Sequence, residues 1–148
     1  MLPRFRRVCQ HPSLSTLRSV QVFETVLYAR DIPAIVDFYC GTLGLRMVEE
    51  PDELAAIFRL DGGMLLVFDP DRSSVPGRPA PSHGADGPGH VAFRVEPAEL
   101  DRCAQRLRQA GVETEKEVDR GGGQGRALYV RDPAGNSVEL LDGDPWPR

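Results

Sequence analysis

At 148 residues the chain is long enough for one domain with a real hydrophobic core. A formal net charge of -4 gives no electrostatic reason to bind nucleic acid or an anionic membrane, and no apolar run approaches the roughly 20 residues that span a bilayer. The expected partner is a small-molecule substrate or ligand, with no nucleic acid and no membrane.

Cys9, Cys40 and Cys103 are odd in number, widely spaced and without a CxxC pair. That usage fits reduced thiols in a cytoplasmic protein better than a disulfide or zinc framework. Residues 1–19 hold Arg4, Arg6, Arg7 and Arg18 and no acid, yet lack the apolar centre of a secretory signal. They read as an N-terminal extension with no assigned function.

From Val20 to Tyr28 the residues alternate, which predicts a strand with Phe23, Thr25 and Leu27 on one face and Val22, Glu24, Val26 and Tyr28 on the other. Glu24 is the anomaly on its face. Asp31 is a good N-cap, Pro33 fits a first turn, and Ile32, Ile35, Val36, Tyr39 and Leu43 fall at helical spacing before Gly44. Leu45 to Glu49, Leu54 to Leu60 and Met64 to Asp69 follow as short strands, the last two joined at Asp61-Gly62-Gly63. Residues 20–69 thus form one βαβββ module.

Residues 70–89 are dense in Pro, Gly and Ser and read as a linker or surface loop, in which His83 is expected to face solvent. Residues 90–142 repeat the first pattern: strand His90 to Val95, helix Pro97 to Ala110, then strands Val112 to Glu117, Arg126 to Arg131 and Ser137 to Leu141. Asp132-Pro133-Ala134-Gly135-Asn136 closes the last hairpin, and residues 143–148 form a C-terminal tail. The expected fold class is α+β, with two βαβββ modules in tandem.

An internal repeat says which positions are structurally equivalent. Matching first strands places Glu24 with His90, and matching last strands places Leu66 with Glu139. His90 and Glu139 leave their strands on the face opposite Val91, Phe93, Val138 and Leu140. Three of four equivalent positions therefore carry a potential metal ligand.

Four segments carry a family resemblance: Thr25 to Asp31, Phe38 to Leu45, Gly89 to Phe93 and Tyr129 to Leu140. They resemble the vicinal oxygen chelate superfamily, which includes glyoxalase I, extradiol dioxygenases, fosfomycin-resistance proteins and bleomycin-resistance proteins. The resemblance covers residues 20–142. It implies curved sheets forming an incomplete barrel around a central cavity, commonly in a homodimer, with first and last strands of each module side by side. His90 and Glu139 would then be cross-strand neighbours, with Glu24 approaching from the facing module to complete a three-ligand site.

The implied triad departs from the family pattern, because Glu24 stands where relatives carry a first-strand histidine and Leu66 stands at a fourth ligand position. Iron and oxygen chemistry generally uses two histidines and a carboxylate, so a lyase, isomerase or group-transfer reaction is favoured over dioxygenation. Two carboxylates and an imidazole suit a divalent cation such as Mn²⁺, Fe²⁺, Mg²⁺ or Zn²⁺. Tyr129 and Arg126 are weaker candidates for substrate contact, against core packing for the tyrosine and a surface role for the arginine. The glycine cluster Gly121 to Gly125 lacks the lysine of a phosphate-binding loop and reads as a hairpin tip over the cavity.

The alternative is a metal-free binding protein of the bleomycin-resistance type, favoured by Leu66 and the missing first-strand histidine. A third reading makes the three residues an ion-pair network, with Glu24 paired to Arg94, Arg126 or Arg131.

Overall fold

Two sheets of identical order organise the chain. The first half comprises β1 (Glu24–Tyr28), α1 (Ile32–Val36), which continues as a π-turn (Asp37–Thr42), β2 (Arg46–Met47), β3 (Ala55–Arg59) and β4 (Met64–Phe68). A short α2 (Pro70–Ser73) opens the connection to β5 (His90–Arg94), α3 (Pro97–Gln109), β6 (Thr114–Asp119), β7 (Arg126–Arg131) and β8 (Ser137–Leu141). This computed structural model describes residues 19–146. The extension through Arg18, Cys9 included, therefore lies outside the described residues, as do the last two positions.

The strand orders are β1-β4-β3-β2 and β5-β8-β7-β6, with the first and last strand of each module parallel. Registers repeat too, since Glu24 pairs with Met64 as His90 pairs with Ser137. Leu66 and Glu139 are equivalent in the same way. The repeat read from sequence is thus a repeat in three dimensions.

Boundaries differ where neighbours decide them. Val20, Val22 and Phe23 stay exposed and outside β1, although the Phe23 carbonyl accepts from Met64 N at 2.8 Å. The single helix expected from Ile32 to Leu43 begins as expected, with Asp31 capping Ala34 N at 3.0 Å, and then widens so that Leu43 N reaches Phe38 O. Val112 N bonds back to Leu107 O past Gly111 at φ 71°, so β6 starts two residues later than the alternation suggests.

Alternation sends Leu27, Phe58, Leu65 and Val67 of the first sheet to the same core as Val91, Leu128, Val138 and Leu140 of the second. Ile35, Phe38 and Tyr39 from the first half and Leu100, Cys103 and Leu107 from α3 fill that core. The opposite face of the first sheet carries a smaller cluster of Ala55, Met64, Leu66 and Phe68. By strand parity Glu24 lies on that face, and His90 and Glu139 lie on the corresponding outer face of the second sheet. Within one chain the apolar faces of the two sheets share that core, filled by the helices, so the faces carrying Glu24, His90 and Glu139 are turned away from it.

The connection 70–89 is irregular after α2 but well anchored. Arg30 pairs with Asp71 and Asp86 at 2.7 and 3.1 Å. His83 is half-buried, bonded through Nδ1 to Tyr28 Oη at 2.9 Å and edge-on to Phe68, which corrects its expected exposure.

The halves are joined by one buried polar turn. Asp132 is 4% exposed, and its Oδ1 accepts from Ala134 N and Asn136 N while its Oδ2 accepts from Tyr39 Oη and Asn136 Nδ2, all at 2.9 Å. Asn136 then donates to the Tyr28 carbonyl at 3.2 Å and accepts from Gly89 N at 2.7 Å. Arg106 adds bonds to the Thr42 and Leu43 carbonyls.

Asp132→Ala strands a phenol, an amide and two backbone donors, so it should cost about 3 kcal/mol of stability in chemical denaturation. Burial first, then Asp132, pushes the Tyr39 phenol far above its ordinary value of 10.0. A raised folded-state value means this contribution is complete below pH 10 and is lost as pH rises beyond it. Tyr39→Phe is expected to flatten the alkaline fall in melting temperature measured between about pH 9 and 11.

Candidate functional site

His90 opens β5 and Glu139 is the middle residue of β8. In the parallel pairing Ala92, not His90, stands directly across from Glu139. The two side chains are diagonal neighbours, which corrects the simplest cross-strand picture. They nevertheless converge, with His90 Nε2 3.5 Å from Glu139 Oε2.

The histidine's other nitrogen fixes what that approach means. Nδ1 lies 3.1 Å from the Ser137 carbonyl, which can only accept, so Nδ1 carries the proton in the neutral ring. Nε2 then presents a lone pair toward a carboxylate oxygen. Two electron-rich atoms at that separation repel unless a cation lies with them or the ring is protonated. A backbone carbonyl behind the imidazole is also the usual means of orienting a metal-binding histidine.

Glu139 is 8% exposed and is held by its other oxygen. Oε1 accepts from Tyr129 Oη at 2.7 Å and Arg120 Nη2 at 3.2 Å, leaving Oε2 directed at His90. Tyr129 pairs directly across from Glu139 on β7, so strand register explains the contact. Burial, followed by Glu139, raises the Tyr129 phenol above its ordinary value and keeps it a donor.

The same sheet face opens into a cavity of about 580 Å³, lined by His90, Arg94, Arg120, Tyr129, Glu139 and Trp146. This volume lies in the range of small-molecule sites. Arg120 and Trp146 were not among the residues expected from sequence. Arg120 follows the end of β6 and precedes a tip in which Gly121, Gly122, Gly123 and Gly125 all have positive φ. A Cβ on Gly125 would stand 2.5 Å from Gly143 Cα, so the hairpin foot lies directly on the backbone leading to Trp146.

Arg126 does not join this group. It is three residues from Tyr129 and so belongs to the opposite face of β7, where its guanidinium binds Asp142 and Asp101 at 2.9 Å each. Glu24 is exposed on the first sheet, and among the described residues its side chain forms no hydrogen bond or ion pair. The arginines considered as its partners are engaged elsewhere, Arg94 with Asp144 and Arg131 with Glu115. Among the described residues no three His, Cys, Asp or Glu side chains converge to hold an ion. One chain therefore brings together His90, Glu139 and Tyr129 of the five expected residues.

Comparison with known proteins agrees with this architecture. The profile of the Glyoxalase/Bleomycin resistance protein/Dioxygenase superfamily matches residues 21–140. A solved lactoylglutathione lyase from Agrobacterium tumefaciens is 37% identical, superposes with a TM-score of 0.77, and is matched over 86% of this chain and 97% of that one. Fosfomycin resistance protein FosX from Listeria monocytogenes is 37% identical over 54 residues, a match covering 36% of this chain and 41% of that protein. A FosX variant from that organism, solved with Mn(II) and 1S,2S-dihydroxypropylphosphonic acid, is 21% identical with a TM-score of 0.62 over 86% and 92% of the chains, a likeness of fold. With the profile spanning both modules, the chain belongs to the Glyoxalase/Bleomycin resistance protein/Dioxygenase superfamily.

Proposed function

We propose that this protein is a divalent-metal-dependent enzyme acting on a small oxygenated molecule, its metal held by His90 and Glu139 together with Glu24 of a second copy of the chain. The observation that carries the reading is the approach of His90 Nε2 to Glu139 Oε2 at 3.5 Å, with the Ser137 carbonyl behind the imidazole and Tyr129 holding the carboxylate's other oxygen. Imidazole nitrogen and carboxylate oxygen fit Mn²⁺, Fe²⁺ or Zn²⁺, and Mg²⁺ less well. The FosX complex with Mn(II) supports a metal on this fold.

A second copy is needed because Glu24 and the His90–Glu139 pair lie on outer faces that one chain turns away from its own core. Val20, Val22 and Phe23 leave apolar surface exposed just before Glu24, which favours covering by another subunit. A homodimer with two equivalent sites satisfies both conditions.

A bound divalent cation would polarise a substrate oxygen and stabilise negative charge as it develops there. Tyr129 and Arg120 hold the Glu139 carboxylate in one orientation, while the Ser137 carbonyl holds the His90 tautomer. With one histidine in the triad, lyase, isomerase or group-transfer chemistry is favoured over oxygen activation. The competing reading, a metal-free binding protein, draws support from Arg120, which already neutralises Glu139.

Electron paramagnetic resonance of Mn²⁺ with metal-depleted protein tests the site. His90→Ala, Glu139→Ala and Glu24→Ala should each weaken binding by about ten-fold or more. A mixture of unfolded and refolded Glu24→Ala and His90→Ala chains should recover about a quarter of the sites, because each mixed two-fold dimer rebuilds one intact set. Recovery of none would assign Glu24 to no shared site, and an absence of metal binding by the wild type would favour the binding-protein reading.

Tyr129→Phe removes one restraint on Glu139 without touching a donor atom. Metal affinity should fall by about ten-fold while unfolding free energy changes by about 1 kcal/mol, as read by metal titration and urea denaturation.

A further inference from the structure

Trp146 is 78% exposed, yet it lines the same cavity as His90 and Glu139. The backbone that carries it is anchored residue by residue. Asp142 leaves β8 with its carboxylate on Arg126 N at 2.6 Å and on the Arg126 guanidinium at 2.9 Å. Gly143 then crosses the glycine-rich tip so closely that a Cβ there would run into the Gln124 carbonyl and stand 2.6 Å from Gly125 Cα. Two residues without side chains are what allows that crossing. Asp144 pairs with Arg94 at 3.8 Å and accepts from Trp146 N at 3.2 Å. Successive contacts thus turn the chain back along the sheet and set the indole at the edge of the cavity.

The indole marks one end of that cavity. Asp144 is held by Arg94, the last residue of β5, which pairs with Leu141, whereas His90 is the first residue of β5. The strand from His90 to Arg94 spans about 13 Å, and the step from the level of Glu139 to that of Arg94 about 7 Å. Between them lies Ala92, a small exposed side chain directly across from Glu139. A ligand with an oxygen beside His90 and Glu139 therefore meets a low floor on its way to Trp146. Pro145 and Leu141 add apolar surface at that end, where Arg94 and Asp144 satisfy each other.

We propose that Trp146 is a substrate-binding residue, and that the substrate carries an aromatic ring about 7–13 Å from the oxygen that reacts at His90 and Glu139. The inference rests on the metal-site reading and names the far end of its substrate. An indole left largely in water has apolar area still to bury, and a flat aromatic partner adds ring–ring contact to that burial. An aliphatic chain supplies the burial alone. The metal pair selects the oxygen, and the C-terminal strap selects the ring.

Calorimetry of Mn²⁺-loaded protein with acetohydroxamate and 3-phenylpropanohydroxamate tests this, because the two probes share a metal-binding head and differ by one benzyl group. Wild type should bind the phenyl probe about ten-fold or more tightly than the acetyl one. Trp146→Ala should bring the two within about three-fold of each other, with acetohydroxamate and Mn²⁺ affinities within about two-fold of wild type. Trp146→Phe should keep most of the preference. Trp146 is also the sole tryptophan, so wild-type emission should shift to the blue with the phenyl probe and stay in place with acetohydroxamate.

The same preference in wild type and Trp146→Ala overturns the assignment, as does a wild type that does not distinguish the probes. Hexanohydroxamate, of similar reach without a ring, should bind wild type more weakly than the phenyl probe, and equal binding overturns the aromatic assignment. If wild type takes up no Mn²⁺, the metal reading fails separately. The Trp146 assignment is then decided by metal-free titration with the phenyl probe, where an unshifted emission overturns it.

Discussion

Asp132 is buried with all four acceptor positions of its carboxylate occupied, and most of the remaining architecture depends on that closure. A carboxylate removed from water without a cationic partner is tolerable only when every lone pair is met. Tyr39 meets one from the first module, and the backbone and side chain of the Pro133–Asn136 turn meet the others. The turn becomes rigid, and the two modules become one body at the same point.

That rigidity reaches the site through two short steps. Asn136 fixes Gly89 N at 2.7 Å, immediately before His90, and the Ser137 carbonyl after Asn136 accepts from His90 Nδ1. Glu139 follows two residues along the same strand. The candidate donors are thus set by a buried polar turn that touches no ligand, and the tyrosine and arginine on the far side of Glu139 complete its restraint. The site is a consequence of how the halves are joined.

Much of this was legible in the residues. Alternation and turn chemistry located the two modules, and the repeat made Glu24 equivalent to His90, as the registers bear out. Tyr129, a weaker candidate for substrate contact, stands directly across from Glu139 and donates to it. Arg126 was placed beside it although an odd spacing on one strand puts the two side chains on opposite faces, so parity already contained that correction. Arg120 was harder, since β6 shifts register between Thr114 and Lys116 and a residue beyond such an irregularity has no face that counting can assign.

By itself the sequence determined the α+β class, the tandem modules and the strand faces of His90 and Glu139, because these follow from periodicities of two and 3.6 and from local turn chemistry. Only the tertiary structure decided that the two modules share a core through their helix-bearing faces. The same packing separates Glu24 from His90 within a chain and sets Arg120 against Glu139. Such relations depend on which apolar surfaces meet across long sequence separations, and no local spacing encodes that choice.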